Sequence, residues 1–189
     1  MNNNFKNLPN YLTLSRVIMI PVFLILFYAS VKFNMVELRY LSGAVFTIAS
    51  ITDYFDGMLA RKYNLVSNFG KLMDPLADKL LVVAIVMALN YFTNEINFIC
   101  VFLIVMRELI ISAIRLVALE ENIVIAASKL GKYKTATQMI SLVLILFNIH
   151  KIGSITFYFT YGIFYISMFF LVLSLIDYII KSKDCFKFL

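Results

Sequence analysis

Charge is scarce in this chain. Only 15% of its 189 residues are Asp, Glu, Lys or Arg, and 62% are hydrophobic. Soluble domains carry about a quarter charged residues, so an ordinary soluble domain is excluded. Cysteine is scarce too: there are two, Cys100 and Cys185. They offer no disulfide framework and no close metal-ligand spacing. The single histidine, His150, falls between two apolar runs and reads as a loop residue. No internal repeat, low-complexity tract or flexible linker interrupts the sequence. The period-two alternation of a membrane β-barrel strand is missing as well.

What the chain has instead is long apolar runs. Six lie near residues 11–32, 39–61, 71–92, 96–118, 134–151 and 154–181. A membrane span takes about 20 residues. Six spans would use most of the chain and leave no room for a separate soluble domain. The expectation is therefore all-α: a polytopic membrane protein with six transmembrane helices. It forms a single domain over residues 1–189, with a short N-terminal interfacial arm at Asn2–Asn10. The first run is long for a signal-peptide core and no clear small-residue cleavage pattern follows it. It reads as a retained span.

The net charge of +6 is read through topology and not as a nucleic-acid footprint, because the basic residues lie between apolar runs. No nucleic-acid partner is expected; the lipid bilayer is. With six spans both termini share one side. That side collects twelve of the 17 Lys and Arg, the other only Lys32, Arg39 and Lys151, while Lys79 and Arg107 lie inside spans. Basic residues concentrate on the cytoplasmic side. Both termini, and the loop near Lys62–Gly70, are expected to face the cytoplasm across the cell membrane.

Against this background four acids stand out: Asp53, Asp56, Asp74 and Asp78. They sit on a fixed grid, Asp53-x2-Asp56-Gly57-x2-Ala60-Arg61-x8-Gly70-x3-Asp74-x3-Asp78. Offsets of three and four put side chains on one helix face. The short loop between the second and third spans brings the two faces to similar depth. An intramembrane Asp costs about 2.5–3.5 kcal/mol even on the mild insertion scale. Four together also repel one another. Hard divalent cations relieve both penalties, and an all-oxygen set suits Mg²⁺ or Mn²⁺. Two such ions are a recurring device for phosphoryl transfer.

The rest of the grid fits a phosphate ligand. Gly57 and Ala60 let a bulky group approach the helix backbone. Arg61 can pair with phosphate oxygens. Gly70 opens the third span, where free N–H groups favour anions. Pro75 is expected in the first turn of that span, where a missing N–H is tolerated. One or two intramembrane aspartates would read equally well as salt-bridged structure or as a proton pathway. So many fixed positions at these offsets do not.

The grid resembles the signature of the CDP-alcohol phosphatidyltransferase family, with every position met. Other segments resemble its bacterial phosphatidylglycerophosphate synthase branch: Asn7–Arg16, Asp74-Pro75-Leu76-Ala77-Asp78-Lys79, Arg107-Glu108-Leu109-Ile110 and Gly131-Lys132-Tyr133-Lys134-Thr135. These segments span about residues 7–139; the final span carries little that is diagnostic. The resemblance implies transfer of a phosphatidyl group from CDP-diacylglycerol to an alcohol, with release of CMP. For this branch the acceptor is sn-glycerol 3-phosphate. It implies that Asp53, Asp56 and Asp74 hold metal, and that Asp78 binds the second ion and acts as base on the acceptor hydroxyl. It implies CDP-diacylglycerol contacts from Gly57, Arg61 and Ser67, with Asn10 and Thr13 closing over the nucleotide. A homodimer is implied too.

The acceptor brings a phosphate of its own and needs a second anion site. Arg107, Arg115, Lys132 and Lys134 are candidates, with Arg115, Lys132 and Arg107 assigned. Arg107 lies near mid-span; the bland alternative is a pair with Glu108 or another buried carboxylate. For the others it is positive-inside anchoring. Tyr28, Tyr91, Tyr161 and Tyr178 read as interface anchors or helix packing. The signature alone leaves inositol phosphate, serine or phosphatidylglycerol open as acceptors. A divalent-cation transporter is a reading of another class, but Arg61 is a poor neighbour for a cation path.

Overall fold

The computed structural model describes residues 8–63, 68–120 and 128–182, and for 8–16, 53–63, 68–78, 116, 119 and 120 the backbone alone. Among the described residues there are six α-helices, one short 3-10 turn and no strand. The helices are α1 (Leu8–Lys32), α2 (Val36–Tyr63), α3 (Asn68–Thr93), α4 (Phe98–Glu120), α5 (Lys129–Leu146) and α6 (Ser154–Lys181). All six apolar runs are helical. Their ends differ from expectation where polar residues can continue a helix. Leu8–Asn10, expected in the arm, already belong to α1; residues 1–7 lie outside the described ones. Lys129 and Lys132, expected in a loop, stand at the start of α5. Because α3 begins at Asn68, Pro75 stands in its second turn and not its first.

The chain divides into two compact units, Met1–Glu95 and Ile96–Leu189. In the first, among the described residues, α1 packs along both α2 and α3, and α2 meets α3 over a short stretch. Phe23 and Phe27 of α1, Phe46 of α2 and Leu81, Ile85 and Leu89 of α3 are fully buried there. Phe23 and Phe27 stack at 5.6 Å between ring centroids. A buried ion pair joins Arg39 at the start of α2 to Glu95 after α3. The Arg39 guanidinium also lies 5.4 Å from the Phe27 ring centroid, so the charge is held by a carboxylate and an aromatic face together.

In the second unit α6 packs along α5 and also meets α4. The buried residues of α6 are Thr160, Phe164, Ser167, Met168, Leu171, Ser174 and Tyr178. Those of α5 are Lys134, Gln138, Ser141, Leu142, Ile145 and Leu146. Both sets follow the three-and-four spacing of a helix packing seam. Thr160, Ser167 and Ser174 recur every seventh residue of α6, and small residues on such a seam let backbones approach closely. Ser167 and Ser174 donate their hydroxyl protons within their own helix, to the carbonyls of Phe164 and Leu171. At the end of α5, Asn148 takes the left-handed conformation, φ 55°. Its N–H donates to the Ile145 carbonyl, a common helix stop. His150 follows in the 3-10 turn, as a connection residue, and is buried edge-on against Tyr161.

The distribution of polarity is inverted. Ile25, Tyr91, Phe98, Leu109, Ile155 and Tyr158 are each more than 60% exposed, while Arg107, Glu108, Lys134 and Gln138 are buried. A soluble monomer rarely exposes so many large apolar side chains while burying charged ones. The pattern is compatible with a membrane protein. Among the described residues, α6 alone is both long and apolar enough to span a bilayer unaided; Val17–Lys32 and Lys79–Thr93 are shorter apolar stretches. α5 has only 18 residues and carries three lysines near its start. Six transmembrane helices therefore remain an expectation where six helices are observed.

Candidate functional site

The aspartate grid lies on two helices of the first unit. Asp53, Asp56, Gly57, Ala60 and Arg61 stand in α2; Gly70, Asp74 and Asp78 stand in α3. The backbone is helical through both stretches. Offsets of three and four therefore do put Asp53 with Asp56, and Asp74 with Asp78, on common faces. Asp56 lies seven residues before the end of α2 (63 − 56) and Asp74 six after the start of α3 (74 − 68). At about 1.5 Å per residue these are nearly equal rises from the connection at 64–67. Asn10 and Thr13 are in α1. Ser67 lies outside the described residues, as do the side chains of all the other residues of this group. Among described side chains no three His, Cys, Asp or Glu form a metal site. The donor set of the grid, four carboxylates on helical backbone, fits a hard divalent cation such as Mg²⁺ or Mn²⁺.

The second unit carries the basic residues, and here side chains are described. Arg107 and Glu108 are adjacent on α4, and both are buried. Arg107 Nη1 donates to Glu108 Oε1 at 2.9 Å. Lys134 Nζ of α5 reaches the same oxygen. Arg107 Nη2 donates to Ser174 Oγ of α6 at 3.2 Å. Its Nε is buried with no partner among the described residues. Gly131 closes the cluster: a Cβ there would stand 3.6 Å from Arg107 Nη2 and 3.3 Å from Ser128 Oγ. Ser128 caps α5 by accepting from the Gly131 N–H at 3.0 Å. So the segments Arg107–Ile110 and Gly131–Thr135, far apart in sequence, meet in one buried polar cluster.

Arg115 lies two turns further along α4. Its side chain is exposed, yet one edge is fixed: Nε donates to Tyr178 Oη of α6 at 3.0 Å. The guanidinium carbon is 5.6 Å from the Tyr178 ring centroid. Tyr178 is buried with Ile111 and Ile114 of α4. Among the described residues Arg115 Nη1 and Nη2 have no hydrogen-bond partner. Lys132 is exposed on the first turns of α5. Of the three assigned acceptor-phosphate residues, Arg115 and Lys132 are thus accessible. Arg107 is engaged by Glu108, the pairing weighed for it on sequence grounds, and also by Ser174, which was not.

Sequence reasoning did not single out Ser174, and it assigned Tyr178 to anchoring or packing. Their offset of four on α6 was the available signal. It had no meaning until α6 was known to face Arg107 and Arg115.

The helical fold, with apolar side chains exposed and polar ones buried among the described residues, is compatible with a membrane protein. The sequence model of the CDP-alcohol phosphatidyltransferase family matches residues 6–176, and the chain belongs to that family. Several relatives carry the name CDP-diacylglycerol–glycerol-3-phosphate 3-phosphatidyltransferase, among them the three that follow. The one from Bacillus subtilis (strain 168) is 39% identical over 189 residues, covering 96% of this chain and 97% of its own. The one from Rickettsia typhi is 45% identical over 137 residues, 72% of this chain and 74% of its own. The one from Escherichia coli (strain K12) is 37% identical over 145 residues, with 75% and 78% covered.

Proposed function

We propose that this chain transfers the phosphatidyl group of CDP-diacylglycerol to sn-glycerol 3-phosphate, forming phosphatidylglycerophosphate and CMP. The carrying observation is its 39% identity, over 96% of the chain, to a relative named for that reaction. The aspartate grid, met at every position, supports the chemistry.

In this reading the chain is one membrane domain of six spans in the cell membrane, working as a homodimer, with both termini and the active site facing the cytoplasm. Asp53, Asp56, Asp74 and Asp78 would hold two divalent ions, Mg²⁺ or Mn²⁺. Bound there, the ions would supply charge stabilisation to the pyrophosphate and to the leaving CMP. Gly57 leaves room for the nucleotide beside α2. Arg61 and Ser67 pair with the cytidine diphosphate, and Asn10 and Thr13 approach it from α1. Asp78 takes the proton of the acceptor hydroxyl. The hydroxyl oxygen attacks the β-phosphorus, the bond from that phosphorus to the bridging oxygen breaks, and the oxygen leaves on CMP.

The acceptor phosphate is received by Arg115 and Lys132, with Arg107 behind them. The open Nη pair of Arg115 presents a bidentate edge to a phosphate. Two variants test the assignment. Asp78→Asn should abolish turnover while the protein still folds; turnover near wild type would remove Asp78 as base. Arg115→Ala should raise KM for glycerol 3-phosphate far more than KM for CDP-diacylglycerol. An equal rise in both would remove the acceptor assignment.

A further inference from the structure

α6 contributes no residue to the aspartate grid, yet it holds both arginines of the neighbouring helix. Ser174 and Tyr178 stand four residues apart on its buried face. Ser174 meets Arg107, and Tyr178 meets Arg115. We infer that Tyr178 is a positioning residue for acceptor recognition: it orients Arg115 so that the terminal edge of the guanidinium is presented to the acceptor phosphate. This rests on the acceptor reading of Arg115 given above.

The geometry bears on which edge is free. A guanidinium offers two bidentate edges, one including Nε and one made of Nη1 and Nη2. Tyr178 Oη occupies Nε at 3.0 Å. The edge through Nε is therefore taken, and the Nη1–Nη2 edge is the one left for an anion. The ring, 5.6 Å from the guanidinium carbon, adds attraction to the cation. Tyr178 can do this only if it does not move itself. It is 2% exposed, and Ile111 and Ile114, on the same helix as Arg115, pack against it.

Ser174 is set the same way beneath Arg107. Its hydroxyl proton goes to the Leu171 carbonyl at 2.9 Å, which leaves a lone pair for Arg107 Nη2. Both arginines are thus held from α6 by fixed acceptors. An arginine already confined to its binding rotamer loses less freedom when the phosphate arrives.

The discriminating variant is Tyr178→Phe, which keeps the ring and its packing and deletes one acceptor atom. One hydrogen bond of this kind corresponds to roughly a three- to tenfold change in an equilibrium constant. KM for glycerol 3-phosphate should rise by that factor. KM for CDP-diacylglycerol, and kcat with both substrates saturating, should stay within about twofold. In an Arg115→Ala background the same substitution should add no further rise, because the group it positions is gone. An unchanged KM for glycerol 3-phosphate in Tyr178→Phe, or an equal rise for both substrates, would overturn the positioning role. So would a full additional rise in the Arg115→Ala background. If Arg115→Ala alone leaves KM for glycerol 3-phosphate unchanged, the acceptor assignment falls, and this inference with it.

Discussion

Glu108 stands where the two basic segments of the second unit converge. One carboxylate oxygen takes both Arg107 Nη1 and Lys134 Nζ, and all three side chains are buried. Removing one member of a buried ionic group leaves the others desolvated and uncompensated, at about 3–5 kcal/mol. Glu108→Leu is expected to lower the stability of the detergent-solubilised protein by that order, read as a fall in Tm. Glu108→Gln keeps the shape and one acceptor oxygen and should cost less. Equal Tm values for Glu108→Leu and wild type would show that the ionic contacts contribute nothing to the fold. Arg115 behaves differently, since its charge is exposed and, among the described residues, only Nε is committed. The sequence already set the two arginines apart, with Arg107 near mid-span beside Glu108 and Arg115 closer to a span end. What the structure adds is their partners on α6, Ser174 for Arg107 and Tyr178 for Arg115, which no position in an apolar run reveals.

At the scale of elements, the α5–α6 pair shows how small residues and polar residues share one seam. Ser167 is buried, and its hydroxyl donates to its own helix at 2.6 Å. It needs no partner on α5, so what the seam requires there is small volume. Ser167→Ala is expected to be nearly neutral, whereas Ser167→Leu overpacks the contact and should cost about 1–3 kcal/mol. Thermal unfolding of the two variants decides the point; comparable losses would mean the hydroxyl matters and the volume does not. All six helices were legible as apolar runs, because a run of that length has few other outcomes. Their ends were less so. Leu8–Asn10, Lys129 and Lys132 are polar or flanking residues that a helix absorbs when its ends extend beyond the apolar stretch. The aspartate grid was legible because its spacing is local to two helices. Within the buried cluster the Arg107–Glu108 pair was legible, but its reach to Lys134 and Ser174 was not, because the offset of 67 residues between Arg107 and Ser174 is set by helix packing alone.

For the whole molecule the question is orientation. Lys132 stands at the start of α5 and Lys151 just past its end, so the helix separates them. In the proposed topology, which rests on the twelve-to-three distribution of basic residues, Lys132 faces the cytoplasm and Lys151 the opposite side. Single cysteines placed there, in a chain with Cys100 and Cys185 replaced, should label differently in intact cells. A membrane-impermeant maleimide should reach Lys151→Cys directly and Lys132→Cys only after permeabilisation. The reverse pattern would invert the topology and put the aspartate grid on the wrong side for a cytosolic acceptor. Beneath orientation lies the reaction itself. The most direct test supplies the purified protein with CDP-diacylglycerol and Mg²⁺ or Mn²⁺, and offers glycerol 3-phosphate, inositol phosphate, serine and phosphatidylglycerol one at a time. The measurement is CMP release. The account predicts release with glycerol 3-phosphate and none with the other three; release with a different acceptor, or with none of the four, would contradict it.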